Sequence, residues 1–103
     1  MSNLEFQTEV NLMASKLEEI AYDDDFDDYL DYFGGAAGIS YREDDSGEFQ
    51  SAFVFLAWGH PTIELDTAKG TVEGHNWLNH GIAFLSNRAI KNINGFFRTL
   101  HDC

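Results

Sequence analysis

The sequence predicts an α+β domain, in which a four-stranded antiparallel meander sheet is flanked by helices at both ends of the chain. Apolar residues recur every three to four positions before residue 34 and again after residue 86, as on one face of a helix. Between these segments they alternate or form short runs bounded by turn residues, which is typical of strands. With 103 residues, 44% of them hydrophobic, the chain is expected to form a single domain over residues 1–103 with one modest core.

The N-terminal segment predicts an amphipathic helix over residues 3–21. Ser2 or Asn3 can cap its start by accepting a hydrogen bond from a free backbone amide of the first turn. Glu18 and Glu19 lie near its C-terminal end, where the helix dipole disfavours anions, and the sequence offers no structural reason for them. The predicted buried stripe has steps of four and three residues and consists of Phe6, Val10, Met13, Leu17 and Ile20.

A short acidic helix is predicted within YDDDFDDYLDYFGG, residues 22–35. An aspartate at 23, 24 or 25 would cap its start, and the glycines at 34 and 35 are expected to end it with a left-handed residue. The aspartates would then face solvent. The opposite, apolar side of this helix would consist of Phe26, Tyr29, Leu30 and Phe33.

Strands are predicted between residues 39 and 77. Aromatic and β-branched residues make the segment 51–58 the most strand-prone, and hence a central strand. The four predicted strands cover 39–42, 51–58, 62–67 and 71–77, in hairpin order. Ser86 is expected to cap a C-terminal helix over residues 87–100 that packs on the sheet. Its predicted buried stripe consists of Ala89, Ile90, Ile93, Phe96 or Phe97, and Leu100.

Charge is distributed unevenly along the chain. The formal net charge is −12, from 18 acidic and 6 basic side chains. Residues 1–48 hold fourteen acidic side chains and only two basic ones, Lys16 and Arg42, whereas residues 49–103 are neutral overall. Solubility would not require this asymmetry, whereas an acidic face that binds a basic partner would. The charge argues against direct binding of nucleic acid or of an anionic membrane, because both would be repelled.

One stretch of aspartates resembles the start of a calcium-binding loop. Asp23, Asp25 and Asp27 have the alternating spacing of such a loop. However, Asp28 and Gly34 stand where the loop requires glycine and a bidentate glutamate. The loop motif therefore fails at both diagnostic positions.

Other motifs for metal binding and catalysis are incomplete as well. His75 and His80 are five residues apart, but neither a cysteine pair nor an HExxH helix accompanies them. The sequence has no glycine-rich phosphate loop and no GxSxG motif, and Cys103 at the end of the sequence is a poor nucleophile. We therefore expect no metal site, no cofactor and no enzymatic activity.

The acidic half is predicted to bind a basic groove of a partner protein. Carboxylates three or four residues apart on a helix lie about 5–6 Å from each other, and duplex DNA carries a charge about every 3.4 Å along each strand. A helix edge and a turn rich in carboxylates can therefore approximate a row of phosphates. The alternative interpretation of the acidic residues is a solvated surface that binds no partner. The predicted partner-binding residues are Glu18, Glu19, Asp23, Asp24, Asp25, Asp27, Asp28, Tyr29, Asp31, Tyr32, Glu43, Asp44, Asp45 and Glu48.

The predicted short acidic helix is expected to present its aspartates and tyrosines in a defined arrangement. Four aspartates are expected to share one side of the short helix, at positions 24, 27, 28 and 31. Tyr22, Tyr29 and Tyr32 are expected either to supply contact area or to be partly buried against the sheet.

The hairpin PTIELDTAKGTVEGH, Pro61 to His75, is similar to one in small phage and plasmid proteins, where an I-E-[IL]-D-T strand and a glycine turn lead into a T-V-E strand. In size and charge the whole chain resembles anti-CRISPR and DNA-mimic anti-restriction proteins. Anti-CRISPR proteins share no common fold, so no functional residue is carried over. The resemblance implies a cytoplasmic inhibitor in a bacterial host cell that binds a CRISPR effector or another defence nuclease, often where its nucleic acid would sit.

Two alternatives stay open from the sequence. An immunity protein or antitoxin that blocks a basic nuclease toxin would need the same acidic face. A homo-oligomeric phage structural or accessory protein would instead use the segment Phe53-Val54-Phe55, which has apolar side chains on both faces of its strand. If helices cover only one face, we expect a homodimer through the sheet. A cytoplasmic location is further suggested by the single cysteine and by a first segment, MSNLEFQTEV, that lacks the pattern of a signal peptide.

Overall fold

The computed structural model of the chain describes residues 2–103 and confirms the α+β class. It contains three helices and a five-stranded antiparallel sheet in the order β1-β2-β3-β4-β5. The elements are α1 (Asn3–Asp23), α2 (Phe26–Phe33), β1 (Gly38–Glu43), β2 (Phe49–Ala57), β3 (Thr62–Asp66), β4 (Thr71–Asn76), β5 (Asn79–Phe84) and α3 (Asn87–Asp102). No helix within residues 2–103 combines the length and the apolar character needed to cross a membrane.

The predicted helix caps at Ser2 and Ser86 are confirmed. The Ser2 hydroxyl accepts from the Glu5 amide, and the Glu5 carboxylate accepts from the Ser2 amide, which forms a capping box at the start of α1. The Ser86 hydroxyl accepts from the Ala89 amide at the start of α3. Helix α2 is capped by Asp25, whose carboxylate accepts from the amides of Asp27 and Asp28.

The prediction of a left-handed end for α2 is wrong. Gly34 has φ −62° and ψ −23°, which is right-handed helical backbone, and its amide donates to the Leu30 carbonyl. The left-handed residue is instead Asp24, at φ 51° and ψ 41°, where it ends α1. Aspartate tolerates this conformation better than most residues with a side chain. The chain therefore reverses at Asp24, and α2 begins two residues later.

The sheet has five strands, so the prediction of four is wrong. The missed strand is β5, which pairs with β4 in the register Thr71↔Phe84 to Asn76↔Asn79. It was missed because the turn before it, Asn76-Trp77-Leu78-Asn79, lacks the glycine that typically marks a tight hairpin turn. The tight turn after Asn76, with Trp77 at φ 57°, brings it back beside β4, where α1 covers one side of it.

The core lies between α1, α3 and one face of the sheet. Val54, Leu65 and Val72 are fully buried and share one row across the three central strands. Helix α1 packs over β4 and β5, while α3 packs over β2, and α2 packs against α3. The buried residues of α1 and α3 are Phe6, Val10, Ala14, Leu17, Ile20, Ala21, Ala89, Ile93, Phe96 and Phe97. The predicted stripes are thus largely confirmed, although Met13, Ile90 and Leu100 are only partly buried.

The other side of the sheet, called the open face below, is covered by none of the helices within residues 2–103. Register places Phe53 and Phe55 of β2 on it, beside Glu64 of β3 and Glu73 of β4. Trp58, just after β2, is 70% exposed. The open face thus combines aromatic side chains with carboxylates.

Candidate acidic interaction surface

A groove between α1 and α2, called the acidic groove below, brings several predicted residues together. It has a volume of about 330 Å³. The reversal of the chain at Asp24 places the last turns of α1 beside the exposed side of α2. The lining residues are Lys16, Glu19, Ile20, Asp23, Asp28, Asp31 and Tyr32.

The carboxylates of the acidic groove are almost uncompensated. Within residues 2–103, the side chains of Asp23, Asp28 and Asp31 make no ion pair and no hydrogen bond. Lys16 is the one cation of the groove, and its Nζ lies 3.8 Å from a carboxylate oxygen of Glu19. Both of these side chains are more than half exposed, so the pair contributes little to stability. The groove therefore presents a cluster of anions that the fold does not neutralise.

Two aspartates of the same stretch have structural roles instead. Asp24 accepts a hydrogen bond from the Tyr29 hydroxyl at 2.8 Å. Burial, followed by this hydrogen bond and the Asp24 charge, raises the pKa of Tyr29 far above its usual value. Asp25 is the N-cap of α2. Each of these carboxylates therefore has a role within the fold that accounts for its place in the sequence.

Asp24 also lies apart from the acidic groove, so the prediction that it shares a side with Asp28 and Asp31 is wrong. It lines a second groove, formed by α2 and α3, that includes Phe26, Tyr29, Phe96 and Lys91. The physical reason is the left-handed backbone of Asp24, which turns the chain so that Asp23 rather than Asp24 faces Asp28. Asp27 is exposed at the start of α2 but lines neither groove.

The predicted contact role of Tyr29 is wrong as well. Its side chain is 2% exposed and stacks on Phe96, with the ring centroids 4.8 Å apart. Its ring is thus buried against α3. Tyr32 is half-buried and lines the acidic groove, where burial raises its pKa. Tyr22 is exposed, and the guanidinium of Arg88 lies 4.4 Å from the centre of its ring.

Glu18 has a structural partner that the sequence did not reveal. Its carboxylate accepts hydrogen bonds from both the backbone amide and the hydroxyl of Ser86. These bonds join the end of α1 to the start of α3, and an anion is favourable at that N-terminus. Glu18 is therefore better explained as a tertiary contact than as a partner-binding residue, and sequence spacing could not show it because 68 residues separate the two positions.

The turn between β1 and β2 forms a second acidic patch. Asp44 closes this turn, because its carboxylate accepts from the Ser46 hydroxyl and from the amides of Ser46 and Glu48. These bonds lower the pKa of Asp44. Glu43 forms an ion pair with His101 at 2.7 Å. Asp45 and Glu48 are exposed, and their carboxylates have no ion pair within residues 2–103.

Arg42, the other cation of the first 48 residues, is already engaged. Its guanidinium donates two hydrogen bonds to the Asp66 carboxylate at 2.9 and 3.0 Å, and one to the Ser51 hydroxyl. Asp66 is buried on the open face and also accepts from the amides of Ala68 and Lys69. Arg42 therefore compensates Asp66 and none of the predicted partner-binding carboxylates.

Comparisons of the chain with protein-family models, with curated proteins and with solved structures found no match.

Proposed function

We propose that this protein is a non-enzymatic inhibitor that uses its acidic groove to occupy the basic, nucleic-acid-binding surface of another protein. The resemblance in size and charge to anti-CRISPR and anti-restriction proteins suggests the class of partner, a CRISPR effector or another bacterial defence nuclease. The acidic groove is the main contact in this proposal, and Asp45 and Glu48 of the second acidic patch extend it.

The observation that carries the proposal is the absence of local partners for Asp23, Asp28 and Asp31 among residues 2–103. Carboxylates held close together repel each other, and their repulsion is relieved when a cation lies between them. Asp24, Asp25 and Asp44, by contrast, have contacts that explain them within the fold.

The chemistry of the acidic groove fits arginine and lysine side chains. Carboxylates accept from guanidinium groups in bidentate fashion, as phosphates do. Ile20 and Tyr32 give the groove an apolar and aromatic wall. Such a wall suits the methylene stem of a long basic side chain, while its charged head contacts the aspartates. A surface that normally holds phosphates with arginine and lysine would therefore fit this groove.

The test begins with capture of partners from bacterial lysates that contain CRISPR effectors and other defence nucleases. Mass spectrometry should identify a basic nuclease or effector subunit, bound at low salt and released at about 1 M salt, where the Debye length is about 3 Å. The purified partner should then lose nucleic-acid binding or cleavage when this protein is added. Capture of a basic nuclease toxin instead would assign the protein to the immunity class.

A matched pair of variants separates the acidic groove from net charge. Asp28→Lys combined with Asp31→Lys changes two groove residues and should abolish binding. Glu9→Lys combined with Asp102→Lys changes the net charge equally, at exposed positions outside the groove, and should retain binding. Circular dichroism should show both variants folded. Equal binding by the two variants would exclude the groove as the interface.

Self-association through the open face is a second candidate, favoured by one observation. Phe53, Phe55 and Trp58 form neighbouring ring contacts on that face, where no helix covers them. Two copies could bury these rings against each other. Sedimentation at micromolar concentration should then give the mass of a dimer, and Phe55→Ser should shift it to the mass of one chain. A single-chain mass for the unmodified protein would contradict this candidate.

A further inference from the structure

Three potential metal ligands converge on the open face, away from the acidic groove. His75 of β4 and His80 of β5 are directly opposite each other in the sheet register. Glu73 precedes His75 by two residues in β4, so its side chain lies on the same face. No helix packs on this face, so the three side chains are accessible to a metal ion in solution. From the sequence only the two histidines were considered, and the pairing of β5 with β4 is what brings His80 close to Glu73.

The distances among the three side chains suit a single small cation. His80 Nε2 lies 2.6 Å and His75 Nε2 lies 3.8 Å from Oε2 of Glu73. One ligand atom from each residue lies within 4.8 Å of the others. A tetrahedral zinc ion with bonds of about 2.0–2.1 Å places its ligand atoms roughly 3.3 Å apart. Small rotations of exposed side chains are therefore sufficient to form the coordination geometry.

A neighbouring carboxylate gives an independent electrostatic argument. Glu64 of β3 lies directly opposite Glu73 of β4 in the sheet register. Like charges placed opposite each other across two strands are destabilising. Glu64 has no ion pair or hydrogen bond within residues 2–103, and the side chains beside the Glu73 carboxylate are the two histidines. A divalent cation bound to Glu73 would relieve the repulsion between the two glutamates.

The backbone around the three ligands is well supported. The His80 amide donates to the Asn3 side-chain oxygen at 2.8 Å, which joins the start of β5 to the start of α1. The ring of His60 stacks on Trp77, with ring centroids 4.1 Å apart, and His60 is not among the converging residues. Among residues 2–103, the converging set therefore consists of Glu73, His75 and His80.

We propose that Glu73, His75 and His80 form a binding site for a divalent transition-metal ion of the zinc class. Two imidazole nitrogens and one carboxylate oxygen suit Zn²⁺, whereas Mg²⁺ and Ca²⁺ prefer sites made of oxygen ligands alone. Three protein ligands leave a fourth position of a tetrahedral ion open to water or to a ligand from another molecule. This site shares no residue with the acidic groove and does not depend on the proposed inhibitor function.

The test is a titration of the untagged protein with Zn²⁺ in a large excess of Mg²⁺, which occupies exposed carboxylates. The Cys103→Ser background removes the exposed thiol as a competing ligand. Calorimetry should show a single class of site, and NMR should show shifts of the ring signals of His75 and His80. Each of His75→Ala, His80→Ala and Glu73→Gln should weaken Zn²⁺ binding at least about tenfold, since even the loss of an outer-shell partner has an effect of that order.

His101→Gln is the matched control, because His101 is a histidine with two carboxylate partners outside this cluster. It should bind Zn²⁺ as the unmodified protein does. The proposal is overturned if Zn²⁺ produces neither heat nor histidine shifts. It is equally overturned if excess Mg²⁺ abolishes binding, or if the three ligand variants bind as the control does. The NMR readout needs no substitution at the site, so a variant that fails to fold does not leave the question open.

Discussion

Replacement of Gly74 by alanine tests how closely α1 lies on the sheet. Gly74 of β4 and Gly81 of β5 are opposite each other and leave a flat area of backbone beneath α1. A Cβ atom on Gly74 would lie 2.7 Å from Cζ of Phe6 and 3.0 Å from Cγ2 of Val10. Ordinary contacts of this kind begin at 3.4 Å, so the Phe6 ring would have to retreat by about 0.7 Å.

The energetic consequence follows from the packing around this ring. Phe6 and Val10 are both 0% exposed, so neither has free space into which to move. Overpacking of a filled core costs about 1–3 kcal/mol. The entropic benefit of replacing glycine, about 0.4–1 kcal/mol, acts in the opposite direction and is smaller. We therefore expect a net destabilisation of about 1–2 kcal/mol, which lowers the Tm by roughly 4–8 °C for each kcal/mol in a domain of this size.

Urea and thermal unfolding, followed by circular dichroism, measure this effect. Gly95→Ala is a matched control, because Gly95 lies in α3 and an added Cβ meets nothing within 4 Å. The same chemical change should stabilise the protein there by up to about 1 kcal/mol. Gly74→Ala and Gly95→Ala are thus expected to change the free energy of unfolding in opposite directions.

A double substitution identifies the cause. Phe6→Leu removes the ring atom nearest to the added methyl group, so Gly74→Ala should cost less in the Phe6→Leu background than in the unmodified protein. If Gly74→Ala left the free energy of unfolding unchanged and showed no coupling to Phe6→Leu, α1 could not pack on β4 as described.

Two further predictions concern pH and stability. Asp66→Asn should destabilise the protein by about 2 kcal/mol, because it removes the charge-assisted hydrogen bonds with Arg42. Burial alone would raise the pKa of Asp66, but its hydrogen bonds with Arg42 and with the amides of Lys69 and Ala68 lower the pKa overall. The stabilisation from the Asp66 carboxylate is therefore present above about pH 4 and is lost as pH falls through the lowered pKa. The difference in Tm between the unmodified protein and Asp66→Asn should therefore shrink in acid. A Tm difference that stays constant with pH would contradict the pairing of Arg42 with Asp66. Hydrogen bonds with Asp102 and Glu43 raise the pKa of His101, so its contribution is present below about pH 6.5 and is lost as pH rises through the raised value. His101→Gln should remove this pH dependence from the Tm between pH 6 and pH 9; an unchanged Tm profile would exclude the role of His101.

The helical parts of the fold could be predicted because their signals are local. The N-caps and the apolar stripes involve residues three or four positions apart, and a helix satisfies its own backbone hydrogen bonds. For this reason Ser86 was predicted to cap α3 and either Ser2 or Asn3 to cap α1, and the caps observed are Ser86 and Ser2. Strand β5 could not be recognised in the same way. It exists because β4 offers it hydrogen bonds and α1 covers it, and neither condition is visible in the residues NHGIAF.

In the acidic surface too, some features could be predicted from the sequence and others depend on contacts between distant residues. Exposure of the aspartates could be predicted, since adjacent like charges are rarely buried. The sequence could not predict which aspartates lie in which groove, because the left-handed backbone of Asp24 decides which aspartates face α1. The partner of Glu18 was likewise hidden, since Ser86 is distant in sequence.

By itself, the sequence determined the α+β class, the cap of α3 at Ser86 and the concentration of charge in the first 48 residues, all of which depend on composition or on short spacings. Only the tertiary structure decided which carboxylates are structural and which are unpaired, and it alone placed Glu73 beside His75 and His80. These outcomes depend on how the chain reverses and how strands pair. The contacts that fix them join residues far apart in sequence, whose individual preferences are too weak to reveal them.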